Sequence, residues 1–398
     1  MLGCASLSNI ARQAAAVATL SMFIVPMCEH FGWSRAAVSG AVSLGSLLGV
    51  LVAPVAGPLF DRHGSRALLA GSALVVAACT LALAATWSIV AFYAAFGVSR
   101  MMFSAPFDVG TTAPVAKWFV RRRARAMALL SMSTGIGLAV LPPVAQLVIS
   151  AHGWRAGWLA LAGIVLVIGV LPQWLFLVRQ PEDLGLKPDG AAGGDDGRAE
   201  GMQEAAYTAA EARATPALWL LMAYTLLAFP VQAGLSLHQV PHLIERGLSA
   251  GVASAVVSTF SLTAAASSLG AGMLRAPVRV SLAAGALLMA LGATLLYAVH
   301  GPALALAAAA AFGAGIGAIL TLLPVAWANY FGRAHFGAIR GMTLPAQVGG
   351  QALGPLLAGG LRDLTGDYGA GLLLFALLSA LAAVVAAFAR PPSRAGLR

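Results

Sequence analysis

Three ionisable side chains sit where the chain is otherwise apolar: Arg12, Arg100 and Asp108. Each lies inside a run of roughly 20 or more mostly uncharged residues, the length that spans a bilayer as a helix. Ionisable groups at that depth are costly, so each marks a candidate site by default. The chemistry open to them is narrow. A guanidinium grips a carboxylate through two parallel N–H donors. A carboxylate can neutralise a guanidinium or carry a proton.

Pacing the runs at about 1.5 Å per residue puts Arg100 near mid-membrane, with Asp108 about 9 Å nearer one surface. Arg12, on a different run, falls at a depth similar to Asp108. Arg12 is therefore expected to pair with Asp108, leaving Arg100 to receive an anion. In the rival pairing, Arg100 and Asp108 are about 12 Å apart along one helix axis. That separation needs a kink, which Pro106 could supply. Both arginines could instead only staple helices together, and Asp108 could be a structural partner or a proton carrier. Two deep cations against one deep acid leave a positive balance, which favours an anionic ligand.

Other polar groups are less pointed. His238, Gln239 and His242 close a later apolar run. An imidazole there could bind a ligand, sense protons, or simply hydrogen-bond to a helix. Gln232, Asn329, Gln347 and Gln351 read as cavity groups or as hydrogen bonds between helices. The three cysteines, Cys4, Cys28 and Cys79, lie in or beside apolar runs without CxxC or Cys/His spacing. They read as buried thiols, and no metal site or disulfide framework is expected. The paired glycines of GIGLA (135–139) and GAGIGA (313–318) fall within apolar runs, where close helix packing explains them. No Walker motif and no acid/base or nucleophile pair is present. No cofactor, no ATP-driven step and no enzyme activity is expected.

The elements that must position these residues follow from composition. The 398 residues are 60% hydrophobic and only 10% charged. Soluble domains carry about 25% charged residues, so the apolar surface here must face lipid. A ruler of about 20 apolar residues gives spans at 5–28, 36–59, 67–86, 88–115, 126–150 and 156–178. A Gly-, Asp- and Glu-rich segment follows at 180–215 and reads as a mobile linker. Six more spans follow at 216–242, 249–273, 278–299, 302–328, 342–361 and 369–389. Trp33, Trp87 and Trp154 near span ends read as interface anchors. The expected fold is an all-α membrane protein with twelve transmembrane helices in two six-helix repeats. Its domains are an N-terminal bundle (1–179), a cytoplasmic linker (180–215) and a C-terminal bundle (216–398).

Two further patterns support this. With the N-terminus inside, inner segments hold eighteen Lys and Arg, among them Arg62, Arg66, Lys117, Arg121, Arg122, Arg123, Arg125, Arg179, Arg198, Arg275, Arg333, Arg340, Arg394 and Arg398. Outer loops hold four: Arg35, Arg155, Arg246 and Arg362. That bias places both termini in the cytoplasm. It also accounts for the net charge of +10 without a nucleic-acid partner. A shift of 215 residues aligns Gly32–Gly57 with Gly247–Gly272, with nine of 26 positions identical. Paired repeats of this kind place a substrate site between two rocking halves. The first apolar run starts almost at Met1, so Met1 is expected to lie downstream of the natural start.

GPLFDRHGSR (57–66) sits between spans 2 and 3. Gly57 lets helices approach and Gly64 permits a tight turn. Asp61 can cap a neighbouring helix N-terminus, while Arg62 and Arg66 favour the cytoplasmic face. The stretch resembles the G-x-x-x-D-R-x-G-x-R loop of the major facilitator superfamily, and the resemblance implies a latch that works in one state of a transport cycle. The equivalent second-half loop, LRAPVR (274–279), lacks the Asp and Gly. FGWSRAAVS (31–39), VAKWFVRRRARAMAL (115–129), HGWRAGW (152–158), QPEDLGLKPDG (180–190), HQVPHLIERGLS (238–249) and GQALGPLLAGGLRDLTGDY (350–368) are similar to the bacterial branch of the monocarboxylate-porter group, with its oxalate/formate-type exchangers. His238 matches a position often histidine in that group. Eukaryotic-type porters place an Asp and an Arg within span 8, whereas residues 249–273 here contain neither.

The resemblance implies a secondary active transporter, in the bacterial inner membrane, that moves a small organic anion by alternating access. Proton symport or exchange against a counter-anion would drive a mono- or dicarboxylate substrate. Arg100, Arg12 and His238 would bind it, and Asp108 would couple protons or pair charge. Gly57, Asp61, Arg62, Gly64 and Arg66 would form the conformational loop. An exporter of neutral or hydrophobic compounds is the alternative, expected to tolerate loss of Arg100. A membrane receptor that does not translocate its ligand is a second alternative, and would need a signalling domain that no loop is long enough to hold. Direction and oligomeric state are not legible in the sequence.

Overall fold

The computed structural model describes residues 1–178, 180–190, 206–274 and 276–392. Arg179, Arg198, Arg275, Arg394 and Arg398 of the basic tally, and residues 191–205 of the expected linker, lie outside the described residues. The elements are α1 (Leu2–Ala11), α2 (Val17–Phe31), α3 (Arg35–Ala84), α4 (Ile89–Ser104), α5 (Pro106–Trp118) and α6 (Arg123–Ile164). A π-helical stretch, Val165–Val170, joins α6 to α7 (Leu171–Phe176). Then come α8 (Ala209–Arg213), α9 (Pro216–Glu245), α10 (Ala250–Met273), α11 (Val278–Tyr297), α12 (Pro302–Phe331), α13 (Phe336–Thr365) and α14 (Gly369–Phe388). No strand occurs among the described residues.

Nine helical stretches among the described residues are long and apolar enough to cross a membrane. Two of them, Gly40–Ala84 and Arg123–Phe176, run for 45 and 54 residues, about twice what a bilayer needs. Each turns at a glycine of positive φ, Gly64 at 78° and Gly153 at 84°, a conformation that other residues resist. Each is therefore two spans. α13 is a further helix of 30 residues, made more polar by Arg340, Gln347, Gln351 and Arg362. The described residues thus form twelve spans, as the hydropathy leads one to expect.

Spans 1 and 4 depart from the continuous helices expected at 5–28 and 88–115. Span 1 ends its first helix at Ala11, tightens into a 3₁₀ turn over Arg12–Ala15, and passes through an extended Ala16 (φ −74°, ψ 153°) into α2. The carbonyl of Gln13 accepts from the Ala16 N–H at 3.0 Å and from the Thr19 hydroxyl at 2.6 Å, which satisfies a group the break would otherwise orphan. Span 4 stops at Ser104, and Ala105 leaves helical geometry (φ −127°, ψ −63°) before Pro106 opens α5. Proline supplies no N–H to the preceding turn, and it disfavours helical geometry in the residue before it.

Two compact units can be distinguished. The first comprises 1–206 with 332–345, and the second 207–331 with 346–398. In the first, Phe23 stacks on Trp158 at 3.7 Å, within a core that includes Leu69, Val76, Phe96 and Phe107. In the second, the buried Tyr224 of α9 donates to the Leu282 carbonyl of α11 at 3.1 Å, and Phe260 of α10 stacks on Phe312 of α12. The sequence repeat appears as repeated local structure. Gly32 and Gly247 both take left-handed φ, 71° and 81°. Two residues later, Ser34 and Ser249 each accept a hydrogen bond from the backbone N–H three residues on, the usual way a serine caps a helix start.

Both described ends of segment 180–215 are ordered. The Asp189 carboxylate accepts from the backbone N–H groups of Val120, Arg121 and Arg122 at 3.0, 2.7 and 3.2 Å, ahead of α6. Glu182 pairs with Arg333 at 2.7 Å. At the other end, Thr208 and Glu211 cap α8 reciprocally, and Tyr207 is buried in the second unit.

Candidate functional site

The two helix breaks meet in the first unit. Arg12 lies in the 3₁₀ turn of span 1, Arg100 in the last turn of α4, and Asp108 in the first turn of α5. A carboxylate is favoured there by the positive end of the helix dipole. Arg100 Nη1 donates to the Ala15 carbonyl at 3.4 Å, another acceptor released by the break. The space for the Arg100 stem comes from Gly45 on α3, where a Cβ would run into the Cβ and Cγ of Arg100.

Asp108 is held by two arginines. Arg12 Nη1 lies 4.0 Å from Oδ1. Arg340 binds Oδ2 through Nε at 3.0 Å and Nη2 at 2.9 Å. The Arg340 side chain is only 3% exposed. Phe103 completes the cluster, with its ring centroid 4.2 Å from the Arg100 guanidinium carbon and 4.7 Å from that of Arg12. Nε of Arg12 and Nε of Arg100 are buried without hydrogen-bond partners. The cluster thus collects three guanidiniums and one carboxylate on α4, α5, α13 and the turn after α1.

Sequence reasoning missed Arg340 by placing it in a loop before a span at 342. α13 begins at Phe336, so Arg340 sits one turn inside the helix. The signal was present: Arg340, Thr343, Gln347 and Gln351 recur at helical spacing and mark a polar stripe. Arg123, also counted as a loop residue, is 3% exposed. It donates to the carbonyls of Phe119 and Ala116 at 3.0 Å each, which caps the end of α5.

The loop at 57–66 forms a second cluster in the same unit. Asp61 accepts from the first N–H groups of α13, Gly337 at 3.3 Å and Ala338 at 2.8 Å, and lies 3.7 Å from Lys117 Nζ. Gly57 faces Gly337 so closely that a Cβ on either would strike the other's carbonyl. Gly64 makes the turn, Arg66 Nε donates to the Leu177 carbonyl at 2.8 Å, and Arg62 is exposed.

His238 lies in the second unit. Its Nε2 is 3.3 Å from the Pro355 carbonyl and its Nδ1 3.2 Å from the Tyr368 hydroxyl. A carbonyl only accepts, so Nε2 carries a proton in this contact. His242 Nε2 donates to the Leu296 carbonyl at 3.0 Å, and Gln351 donates to Gln232 at 3.1 Å. No cluster of metal-ligating side chains occurs among the described residues.

Twelve spans, a DRxG turn and buried charges on broken helices describe a class of membrane protein, and comparison with known proteins decides which. Residues 6–243 match the family model of the Major Facilitator Superfamily. The chain belongs to the Major Facilitator Superfamily. It is a multi-pass membrane transporter, not an enzyme. Among similar proteins, rat monocarboxylate transporter 12 is 25% identical over 94% of this chain and 82% of its own length. Human monocarboxylate transporter 11 is 26% identical over 89% and 75%. The uncharacterized MFS-type transporter YcxA of Bacillus subtilis is 27% identical, over 41% of this chain and 40% of that relative. The superfamily fold is also shared with the fucose transporter FucP, at a TM-score of 0.74 and 14% identity over 98% of both chains.

Proposed function

We propose that this transporter moves a small organic anion, a mono- or dicarboxylate, by proton symport or anion exchange, with Arg100 as the principal anion partner and Arg12 beside it. Both termini would face the cytoplasm of a bacterial inner membrane. The observation that carries this reading is the state of Arg100. Its guanidinium is mostly buried and makes one long bond to a backbone carbonyl, and its Nε has no partner. A desolvated guanidinium with unused donors is a receptor for a carboxylate. Asp108 already serves Arg340 and Arg12. The monocarboxylate transporters 11 and 12 among the relatives support the substrate class. His238, in contact with Tyr368 and the Pro355 carbonyl, would be a further substrate-binding group, and Asp108 would couple protons or pair charge.

The test is saturable uptake of radiolabelled carboxylates by proteoliposomes holding wild type, Arg100→Lys or Arg100→Ala. Hydrogen bonds to charged groups contribute about 1.5–3 kcal/mol. Arg100→Ala should therefore raise KM at least roughly tenfold, and Arg100→Lys should recover part of the loss. Wild-type rates in Arg100→Ala would remove Arg100 from the site and return a neutral substrate to first place.

A further inference from the structure

The arginine pair has a geometry that a singly charged ligand leaves half used. Arg12 and Arg100 both rest on the ring of Phe103, with guanidinium carbons 4.7 and 4.2 Å from its centre. Those two distances cap the separation of the guanidinium carbons at their sum, about 9 Å. Like charges this close repel strongly in a poorly solvated site. One aromatic ring attracts a cation through its quadrupole, but it cannot neutralise two.

Asp108 is shared by Arg12 and Arg340, so one carboxylate stands against three guanidiniums and two positive charges remain. Asp108 gives Oδ2 to Arg340 at 2.9 and 3.0 Å, while Arg12 approaches Oδ1 only to 4.0 Å. Arg100 has a carbonyl at 3.4 Å. Nε of both Arg12 and Arg100 is buried and unpartnered. Two guanidiniums thus lie against one ring, each with a buried donor to spare. A monocarboxylate would satisfy one of them. Two carboxylates on one short molecule would satisfy both and cancel both charges.

We propose that Phe103 organises Arg12 and Arg100 into a two-guanidinium receptor, and that the transported anion is a short dicarboxylate rather than a monocarboxylate. Phe103 is a positioning and specificity residue. Its ring sets the distance between the forks and touches no reacting atom. This inference rests on the anion-transport reading and sharpens it to a dianion.

The experiment uses the full chain in proteoliposomes at neutral pH, and compares malonate with propionate and succinate with butyrate, pairs that differ by one carboxylate. Wild type should show a KM roughly tenfold or more lower for the dicarboxylate of at least one pair. Phe103→Tyr, which keeps the ring, should preserve that ratio. Phe103→Leu, which keeps the apolar volume without a ring face, should bring the ratio toward one, mainly by raising the dicarboxylate KM. An equal rise for both members of a pair in Phe103→Leu would make Phe103 a packing residue and overturn the proposal. Propionate or butyrate carried as well as its dianionic partner would also overturn it while leaving anion transport intact. Uptake of none of the four would sink the anion reading and this inference together.

Discussion

Spans 1 and 4 of the first unit are broken, whereas α9 and α12 in the second run for 30 residues each without interruption. Proline alone does not explain the difference, although Pro106 follows the break in span 4. α9 contains Pro230 and Pro241 and α12 contains Pro324, yet the backbone of both helices continues through all three prolines. What differs is the charge nearby. The breaks in the first unit carry Arg12, Arg100 and Asp108, and they release carbonyls and a helix start that can meet those charges. The buried and half-buried polar contacts named above in the second unit use amides, imidazoles and backbone carbonyls: Gln232 with Gln351, His238 with Tyr368, His242 with a backbone carbonyl. The ion pair of Arg362 with Glu245 in that unit is exposed. Away from water every released backbone group needs a partner. A break and a buried charge therefore satisfy each other, while an amide pair can join two intact helices. On the proposed function, the charged unit would hold the transported anion, and the other would mainly hold its own shape.

The sharpest way to break this contrast is to remove Asp108. Asp108→Leu leaves Arg340 buried without the carboxylate it binds, a change that costs about 3–5 kcal/mol. Thermal unfolding in detergent should show a large loss of stability or of folded yield. Replacing both partners, Asp108→Leu with Arg340→Met, should recover most of it, because an apolar pair carries no desolvation penalty. A double variant as unstable as the single one would show that the two residues do not act as a pair.

Packing should show no such contrast. Gly57 meets the Gly337 carbonyl in the first unit, and Gly354 meets the Pro230 carbonyl in the second, each too closely for a Cβ. Gly57→Ala and Gly354→Ala should each cost about 1–3 kcal/mol by overpacking, read from the same unfolding curves. Similar losses would mean that the units are packed alike and differ in charge. A third substitution acts on function. Gly45→Ala would press a methyl against the Arg100 stem and shift its guanidinium. KM for the transported anion should rise by roughly tenfold or more, beyond whatever loss of folded protein the same unfolding curves show.

Much of this was legible in the sequence. The span count follows from apolar length, and the repeat from Gly32, Ser34 and their partners Gly247 and Ser249, which recur as the same turn and the same cap. Arg12, Arg100 and Asp108 stood out because a charge in an apolar run is rare. The breaks were less legible. Pro106 announced a kink in span 4, but nothing near Arg12 has proline's stiffness, and the extended Ala16 depends on a hydroxyl from Thr19 and a guanidinium from span 4. Arg340 was hidden by its position near the end of a span, where an arginine normally marks topology. Phe103 carried no signal at all, since a phenylalanine in an apolar helix is the commonest of residues. Its place between two guanidiniums is a fact of tertiary structure.

The smallest effect is expected in the neutral unit, and it is also the most discriminating. Gln351 Nε2 donates to Gln232 Oε1 at 3.1 Å between α13 and α9, and both residues are half-buried. Side-chain hydrogen bonds between membrane helices average only about 0.6 kcal/mol in double-mutant cycles, because the unfolded chain also finds partners in the membrane. A cycle of Gln232→Leu and Gln351→Leu, read by unfolding in detergent, should give a coupling near that value. The matching cycle on Asp108 and Arg340 should give a coupling several times larger, since either single variant there removes a buried charge–charge contact of 2.9 Å. A glutamine coupling as large as the charged one would mean that burial, not charge, sets the difference between the two units, and the broken helices would need another cause.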